Sequence, residues 1–248
     1  MKGLSIIVPT LNEEKNIQSL INRIVHVMAP FKNAYEYELI FVDDHSTDET
    51  CHVIRALSSL YPLKLYKKAG KKGKAESILE GCRYAQYDVV AFIDADLQYP
   101  PEALPEMIVE MKLSNVDIVV TNRKVQQTNM FRKWGSKINR FIFGRLLFGI
   151  PYDTQSGMKI FKKKVIDSIE IAASAWSFDL EFLVRAMMAN YKVSSIDITF
   201  EKRKAGESKV GFMRVAYELI LSSLRLRIVT LFESFKSIFR SKPSLAGE

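Results

Sequence analysis

Val89-Val90-Ala91-Phe92-Ile93-Asp94-Ala95-Asp96-Leu97-Gln98 reads as a buried β-strand that runs directly into two acids one residue apart. Side chains alternate along an extended chain, so Asp94 and Asp96 are expected to point the same way at the rim of a sheet. There they can address one hard cation or its waters. Two acids after a strand serve equally well as loop solvation or a helix cap, so this segment alone leaves metal binding open.

Working outward, short β-branched runs alternate with helical patterns. Strands are expected at Leu4–Val8, Leu39–Val42, Leu63–Tyr66, Val89–Ile93 and Ile118–Thr121, with a later one at Val193–Phe200. The alternation predicts an α/β fold around a mostly parallel central sheet with right-handed crossovers. Glu13 to Met28 places Ile17, Leu20, Ile21, Ile24 and Val25 at helical spacing, and Ser46 followed by Glu49 resembles a capping box. In such sheets ligands bind beyond the carboxyl ends of the strands. Three polar clusters fall at those ends: Thr10–Glu13, Asp43–Asp48 and Asp94–Gln98.

The 248 residues, 48% hydrophobic, suffice for one sizeable core. A formal charge of +8 points to anionic partners, whether nucleic acid, an acidic membrane surface or phosphorylated substrates. Cys51 and Cys82 form no CxxC or Cys/His grouping, so neither a disulfide framework nor a structural zinc site is suggested, and a reducing, cytoplasmic compartment is expected. The first residues read as a strand and not as a signal peptide. No window holds about 18 consecutive apolar residues, because Val215 to Phe232 carries Glu218, Arg225 and Arg227; the chain is not expected to span a bilayer.

The other two clusters admit two readings each. Asp43 to Asp48 ends a strand in carboxylates that can accept hydrogen bonds from a ribose or a base, while Ser46 or Asp48 can equally cap the next helix. Asn12 and Glu13 can contact a nucleotide or simply begin a helix.

Taken together, these residues resemble the family 2 glycosyltransferases, and within them the polyprenyl-phosphate (dolichol-phosphate) mannosyl- and glucosyltransferases. The resemblance runs from about Leu4 to about Lys209. It rests on IVPTLNEEKNI, VDDHSTDET, GKKGKAESILEG, FIDADLQYPPE, the TNR at Thr121–Arg123, DTQSGMKIF and ITFEKRKAGESKVG, all in the family's order. The sequence departs from the family where His45 follows Asp44 in place of the common glycine, and where extra lysines precede Lys74.

The resemblance implies a GT-A, Rossmann-like fold. It implies a divalent cation, Mg or Mn, at Asp94, Asp96 and Gln98. It assigns Pro9, Leu11, Asn12, Glu13, Asp44 and Asp48 to the nucleoside and Lys74 to the diphosphate, with Lys209 as a helper. It assigns Arg123, Arg132 and Arg203, with Ser136, to an acceptor phosphate, and places Asp153, Gln155 and Ser156 in a sugar and acceptor loop. A turn between Pro151 and Gly157 explains that loop nearly as well. Asp96, Arg123 and Arg203 are the expected catalytic residues. The implied reaction moves a hexose, mannose favoured, from a nucleotide-diphosphate sugar to a polyprenyl or dolichyl phosphate with inversion. A phosphate oxygen is already anionic near neutrality, so it needs positioning more than a general base. The alternatives are a glucosyltransferase using UDP-glucose and a family 2 transferase acting on a cell-surface glycan. A non-enzymatic nucleotide-binding scaffold is a third.

The expected organisation is a catalytic domain over residues 1–210, amphipathic C-terminal helices over 211–240 and a flexible tail over 241–248. Within the domain, about 128–150 interleaves Phe131, Trp134, Ile138, Phe141, Ile142 and Leu146 with arginines and lysines, the composition of an interfacial helix. Peripheral binding to the cytoplasmic side of a membrane is expected, directly or through a membrane-protein partner. No GxGxxG follows the first strand and no basic-aromatic module is legible, so neither a dehydrogenase nor a nucleic-acid binder is expected.

Overall fold

The computed structural model describes residues 3–125, 147–172, 177–201, 218 and 220–232. The chain runs β1 (Gly3–Thr10), α1 (Glu14–Met28), β2 (Glu36–Asp43), α2 (Thr50–Leu57), β3 (Leu63–Lys67), α3 (Lys74–Tyr84), β4 (Val89–Ile93), α4 (Leu104–Leu113), β5 (Ile118–Val125), β6 (Met158–Lys162), α5 (Lys163–Ser168), α6 (Phe178–Met188) and β7 (Val193–Phe200). Residues 220–232 form a final helix, α7.

The seven strands make one sheet in the order β3-β2-β1-β4-β6-β5-β7. Strands β3, β2, β1 and β4 are parallel, β5 and β7 are parallel, and β6 runs antiparallel to both of its neighbours. Thr10 pairs with Asp43 and Asp43 with Lys67, while Ile7 pairs with Phe92. The polar segments after β1, β2 and β4 therefore leave the sheet along one edge, as the strand-end argument requires.

Alternation along β1 sends Leu4, Ile6 and Val8 into one core and Ile7 into the other. Helix α1 covers the first core with Ile17, Leu20, Ile21, Ile24 and Met28, all wholly buried. Burying each such side chain contributes about 1.5–3 kcal/mol, so this helix is held by its apolar stripe and not by a cap. The second core lies beneath α3 and α6, where Ile78, Phe92, Phe161 and Phe182 meet. Gly81 lets α3 lie close on β1, since a Cβ there would come within 2.5 Å of Ile7 Cγ2.

Two local expectations change. The capping box does not form, because α2 begins at Thr50 and the Ser46 hydroxyl instead accepts a bond from Asn12 N at 2.9 Å. Asp48, one residue before the cap position Glu49, accepts from Thr50 N with Oδ1 at 3.0 Å. Strand β6 is not among the strands expected from the sequence, where Met158–Phe161 enters only within the DTQSGMKIF motif.

Residues 147–148 are the helical part of the expected 128–150 segment that is described. Its residues 128–146, most of 202–219 and all of 233–248 lie outside the described residues. Among the described residues no helix is long and apolar enough to cross a membrane.

Candidate active site

Strand β4 ends at Ile93, so the acids that follow belong to a turn and not to the pleat. Leu97 takes a positive φ of 61°, and Gln98 N donates to Asp96 Oδ1 at 3.1 Å. This turn, and not the pleat, carries the two carboxylates, and the charge of Asp96 helps raise the Asp94 pKa. Asp96 is buried and Asp94 half-buried.

Lys74, the first residue of α3, places Nζ 2.5 Å from Asp94 Oδ1. Burial works against its charge, but the Asp94 and Asp179 carboxylates outweigh that and hold its pKa above the ordinary lysine value. Asp94 is pushed up, first by burial and then by Asp96 and Asp179, with Lys74 opposing. Glycine is required beside it: a Cβ on Gly157 would meet Asp94 Oδ2 at 2.2 Å and the Tyr99 ring at 2.9 Å. Gln98 remains at the rim, its amide donating to Glu201 O at 3.4 Å.

The nucleoside candidates form a tied network rather than a row of open groups. Asn12 adopts a φ of 55° and accepts from Thr47 N at 2.7 Å, joining the loops after β1 and β2. Glu13 N donates to Thr50 Oγ1 at 2.8 Å, and its carboxylate accepts from Asn16 Nδ2 at 2.6 Å. Asp48 bridges the same loops, accepting from Glu14 N at 3.2 Å as well as from Thr50. Its pKa is lowered because these bonds outweigh burial. Pro9 sits in β1, and Leu11 is exposed at the rim.

Asp44 is clasped by a lysine that the sequence reading passed over. Lys68 Nζ lies 2.7 Å from Asp44 Oδ1 and also donates to Gly73 O and Ser77 Oγ, each at 2.9 Å. Gly73 N donates to Asp44 Oδ2 at 2.8 Å. The lysine-rich loop 69–72 is thus tied at Lys68 and at Gly73 to the carboxyl edge of β2, immediately before Lys74.

Near the end of β5, Arg123 grips Asp153 with two parallel bonds, Nε to Oδ2 at 2.6 Å and a terminal nitrogen to Oδ1 at 3.0 Å. Burial opposes the guanidinium charge, but Tyr99, Asp153 and Asp179 hold its pKa above the ordinary value. Its face also lies 5.4 Å from the Phe200 ring centroid. Gln155 N caps Asp153 at 3.1 Å, and Ser156 Oγ meets Thr121 Oγ1 at 2.5 Å, so loop 153–156 is a structured turn against β5. Lys159 and Asp179, also absent from the sequence reading, form an ion pair below this cluster. A lysine inside the apolar run Met158–Phe161 was the available signal.

The structure therefore gathers Lys74, Asp94, Asp96, Arg123 and Asp153 at one rim, with the tied loops of Asn12, Asp44 and Asp48 at the ends of β1 and β2. Arg132, Ser136, Arg203 and Lys209 lie outside the described residues. A cavity of about 510 Å³ flanks Gly3, Val89 and Lys162 at the opposite edge, so the candidate site is an open rim and not that hollow.

The sequence model of the family described as "Glycosyl transferase family 2" matches residues 5–170. A dolichol-phosphate mannosyltransferase of Pyrococcus furiosus is 31% identical over 245 residues, covering 96% of this chain and 63% of the relative. An undecaprenyl-phosphate 4-deoxy-4-formamido-L-arabinose transferase of Pseudomonas fluorescens is 26% identical over 235 residues, covering 92% and 68%. The chain thus spans about two thirds of the length of either relative. Among solved structures, glucosyl-3-phosphoglycerate synthase of Mycobacterium tuberculosis, in complex with Mn2+, UDP and glucosyl-3-phosphoglycerate, superposes with a TM-score of 0.72 at 17% identity, over 91% of this chain and 80% of that one. The same enzyme with Mg2+ and UDP gives 0.70 at 18% identity, over 90% and 79%. At these identities the likeness speaks to fold, which is the GT-A arrangement with its seven-stranded, mostly parallel sheet.

Proposed function

The chain belongs to glycosyltransferase family 2, and from that premise we propose that it transfers a hexose from a nucleotide-diphosphate sugar to a polyprenyl phosphate, with inversion, at the cytoplasmic face of a membrane. The observation that carries the reading is the Asp94–Asp96 pair at the carboxyl end of β4, with Lys74 paired to Asp94 and the Arg123–Asp153 pair in the neighbouring loop, whose Gly157 abuts Asp94. Two acids to anchor a cation and separate cations on either side suit a reaction in which one phosphate leaves and another attacks. The names of the two curated relatives support the acceptor class, since both specify an isoprenoid phosphate.

A divalent cation, Mg or Mn, fits this donor set. Among the described residues no three His, Cys, Asp or Glu side chains group to cage a metal. Asp94, Asp96 and Gln98 offer a partial oxygen shell that substrate phosphates would complete, which is how Mg is commonly held. A bound cation supplies neutralisation of the diphosphate leaving group. Lys74 adds its own charge at that place, and the loops of Pro9, Leu11, Asn12, Glu13, Asp44 and Asp48 hold the nucleoside. Arg123, oriented by Asp153, takes the acceptor phosphate together with Arg132, Ser136 and Arg203, and Lys209 assists at the diphosphate.

Membrane contact is assigned to 128–150 and 211–240. Helix α7, within the second segment, exposes Ile220, Leu221, Leu224, Ile228, Leu231 and Phe232 while Leu226 and Thr230 are buried. Arg225 and Arg227 lie on the same helix, as suits an anionic interface.

The test is transfer of radiolabelled sugar from GDP-mannose, and in parallel from UDP-glucose, to a short polyprenyl phosphate in detergent with Mg or Mn. Metal-dependent lipid product that disappears in Asp96→Ala is the expected result, and the productive donor names the sugar. Absence of lipid product from both donors, with nucleotide binding intact, would overturn the acceptor assignment in favour of a glycan.

A further inference from the structure

Position 159 of β6 is a core position that carries a charge. Met158 and Ile160 pack into one core and Phe161 into the other, so Lys159 shares the Phe161 face beneath α6. It is wholly buried, and its ammonium lies 5.2 Å from the Phe92 ring centroid. Nζ donates to the Ser156 carbonyl and to Asp179 Oδ1. Burial pushes the lysine pKa down, and Asp179 is the strongest opposing influence.

Asp179 is not buried with it. Its side chain keeps 18% exposure at the first turn of α6, and its charge acts on Lys74, Asp94 and Arg123. The ammonium that holds it also holds the carbonyl of Ser156, next to Gly157, which abuts Asp94, so Asp179 stands beside the acids that end β4. A buried lysine paired with a partly open acid is poor as a stabilising device, because its desolvation is offset on one side only and an apolar side chain of similar size would often serve stability as well. What the pair does achieve is orientation: one carboxylate oxygen is tied from below, which limits the rotamers of a short side chain at the mouth of the site.

We propose that Lys159 is a positioning residue that holds Asp179 at the rim to accept hydrogen bonds from hydroxyl groups of the transferred sugar. The inference rests on the glycosyltransferase reading above and names a sugar contact within it. A carboxylate repels the diphosphate and the acceptor phosphate alike, so the neutral hydroxyl donors of the hexose are the part of the substrates that suits it. Lys159 holds one of its oxygens directly, while Lys74 and Arg123 act on its charge from farther off.

The experiment compares the affinity of GDP with that of GDP-mannose, and of UDP with that of UDP-glucose, by titration calorimetry with Mg, using the full chain. Lys159→Met, Asp179→Asn and the double variant are measured beside wild type. Nucleoside diphosphate affinity should stay within about twofold, while the extra affinity contributed by the sugar falls roughly tenfold to a hundredfold, the value of one hydrogen bond to a charged acceptor. Lys159→Met should add nothing further in the Asp179→Asn background, as coupled residues behave. Equal losses for nucleotide and nucleotide-sugar would assign the pair a structural role and overturn the proposal, as would sugar affinity unchanged in Asp179→Asn. Should Lys159→Met fail to fold, Asp179→Asn, which keeps shape while removing the charge and one acceptor oxygen, decides alone. Wild type binding neither nucleotide would bring down the transferase reading and this inference with it, a result distinct from the selective outcomes.

Discussion

Lys74 Nζ and Asp94 Oδ1 stand 2.5 Å apart, joining the first residue of α3 to the residue that follows β4 across the carboxyl edge of the sheet. The lysine pKa is raised, so its charge is fully present below the ordinary value near ~10.4 and is lost only as pH rises through the still higher folded value. Lys74 is therefore a permanent cation at neutral pH. Lys74→Met should lower kcat/KM for the nucleotide-sugar about a hundredfold, as loss of one preorganised charge at a leaving group does. Steady-state kinetics at varied donor concentration check this, and a loss under about threefold would contradict the role.

Asp96 is buried, its Oδ1 held by Gln98 N at 3.1 Å. Asp96→Asn preserves shape and that bond but removes the charge a cation needs. Turnover should fall by about 10²–10³-fold while thermal stability without metal stays near wild type. Equal activity of the variant with and without Mg or Mn would be consistent; full metal-dependent activity would not.

Gly157 is the position where a single methyl group should disable the site. Its Cβ would lie 2.2 Å from Asp94 Oδ2, closer than any non-bonded contact permits. Since Lys74 holds the other oxygen, Gly157→Ala must displace the carboxylate or the loop. A loss of activity of about tenfold or more, with raised metal demand, is expected from an ångström-scale displacement of this kind. A metal titration of activity reads it directly.

The Arg123–Asp153 pair carries stability as well as the proposed grip on phosphate. Asp153 is lowered, with burial outweighed chiefly by Arg123, so its contribution is present above the ordinary carboxylate value and is lost as pH falls through the depressed folded one. Asp153→Ala should cost about 3 kcal/mol, because it strands a largely buried guanidinium. That corresponds to a fall in Tm of roughly 6–12 °C for a chain of this size, seen by thermal denaturation at neutral pH.

Helix α7 exposes Leu224 at 49% and Ile228 at 65%, one turn apart. The double substitution Leu224→Asp and Ile228→Asp should abolish sedimentation with anionic vesicles while leaving Tm within about 1–2 °C, since surface changes of this kind are usually small. Vesicle binding unchanged in the double variant would move membrane contact away from this helix.

Much of this organisation was legible in the sequence because it depends on local order. The six expected strands, the stripe on α1 and the gathering of three polar clusters at strand ends follow from periods of two and 3.6 and from the rule that parallel strands end together. Strand β6 was not legible, since Lys159 interrupts its apolar run and antiparallel pairing with β4 and β5 is a long-range choice. The capping box at Ser46 failed for a similar reason: its hydroxyl found a partner 34 residues away, at Asn12, which outcompeted the local bond.

The sequence by itself determined the fold class, the family and the acids after β4, because each is written in contiguous residues whose spacing carries the information. Only the tertiary structure decided that Lys68 clasps Asp44, that Gly157 abuts Asp94, and that a buried Lys159 holds Asp179 beside them. Those relations join residues 20 to more than 60 positions apart, and the burial that makes their charges matter exists only once the sheet and its helices have closed around them.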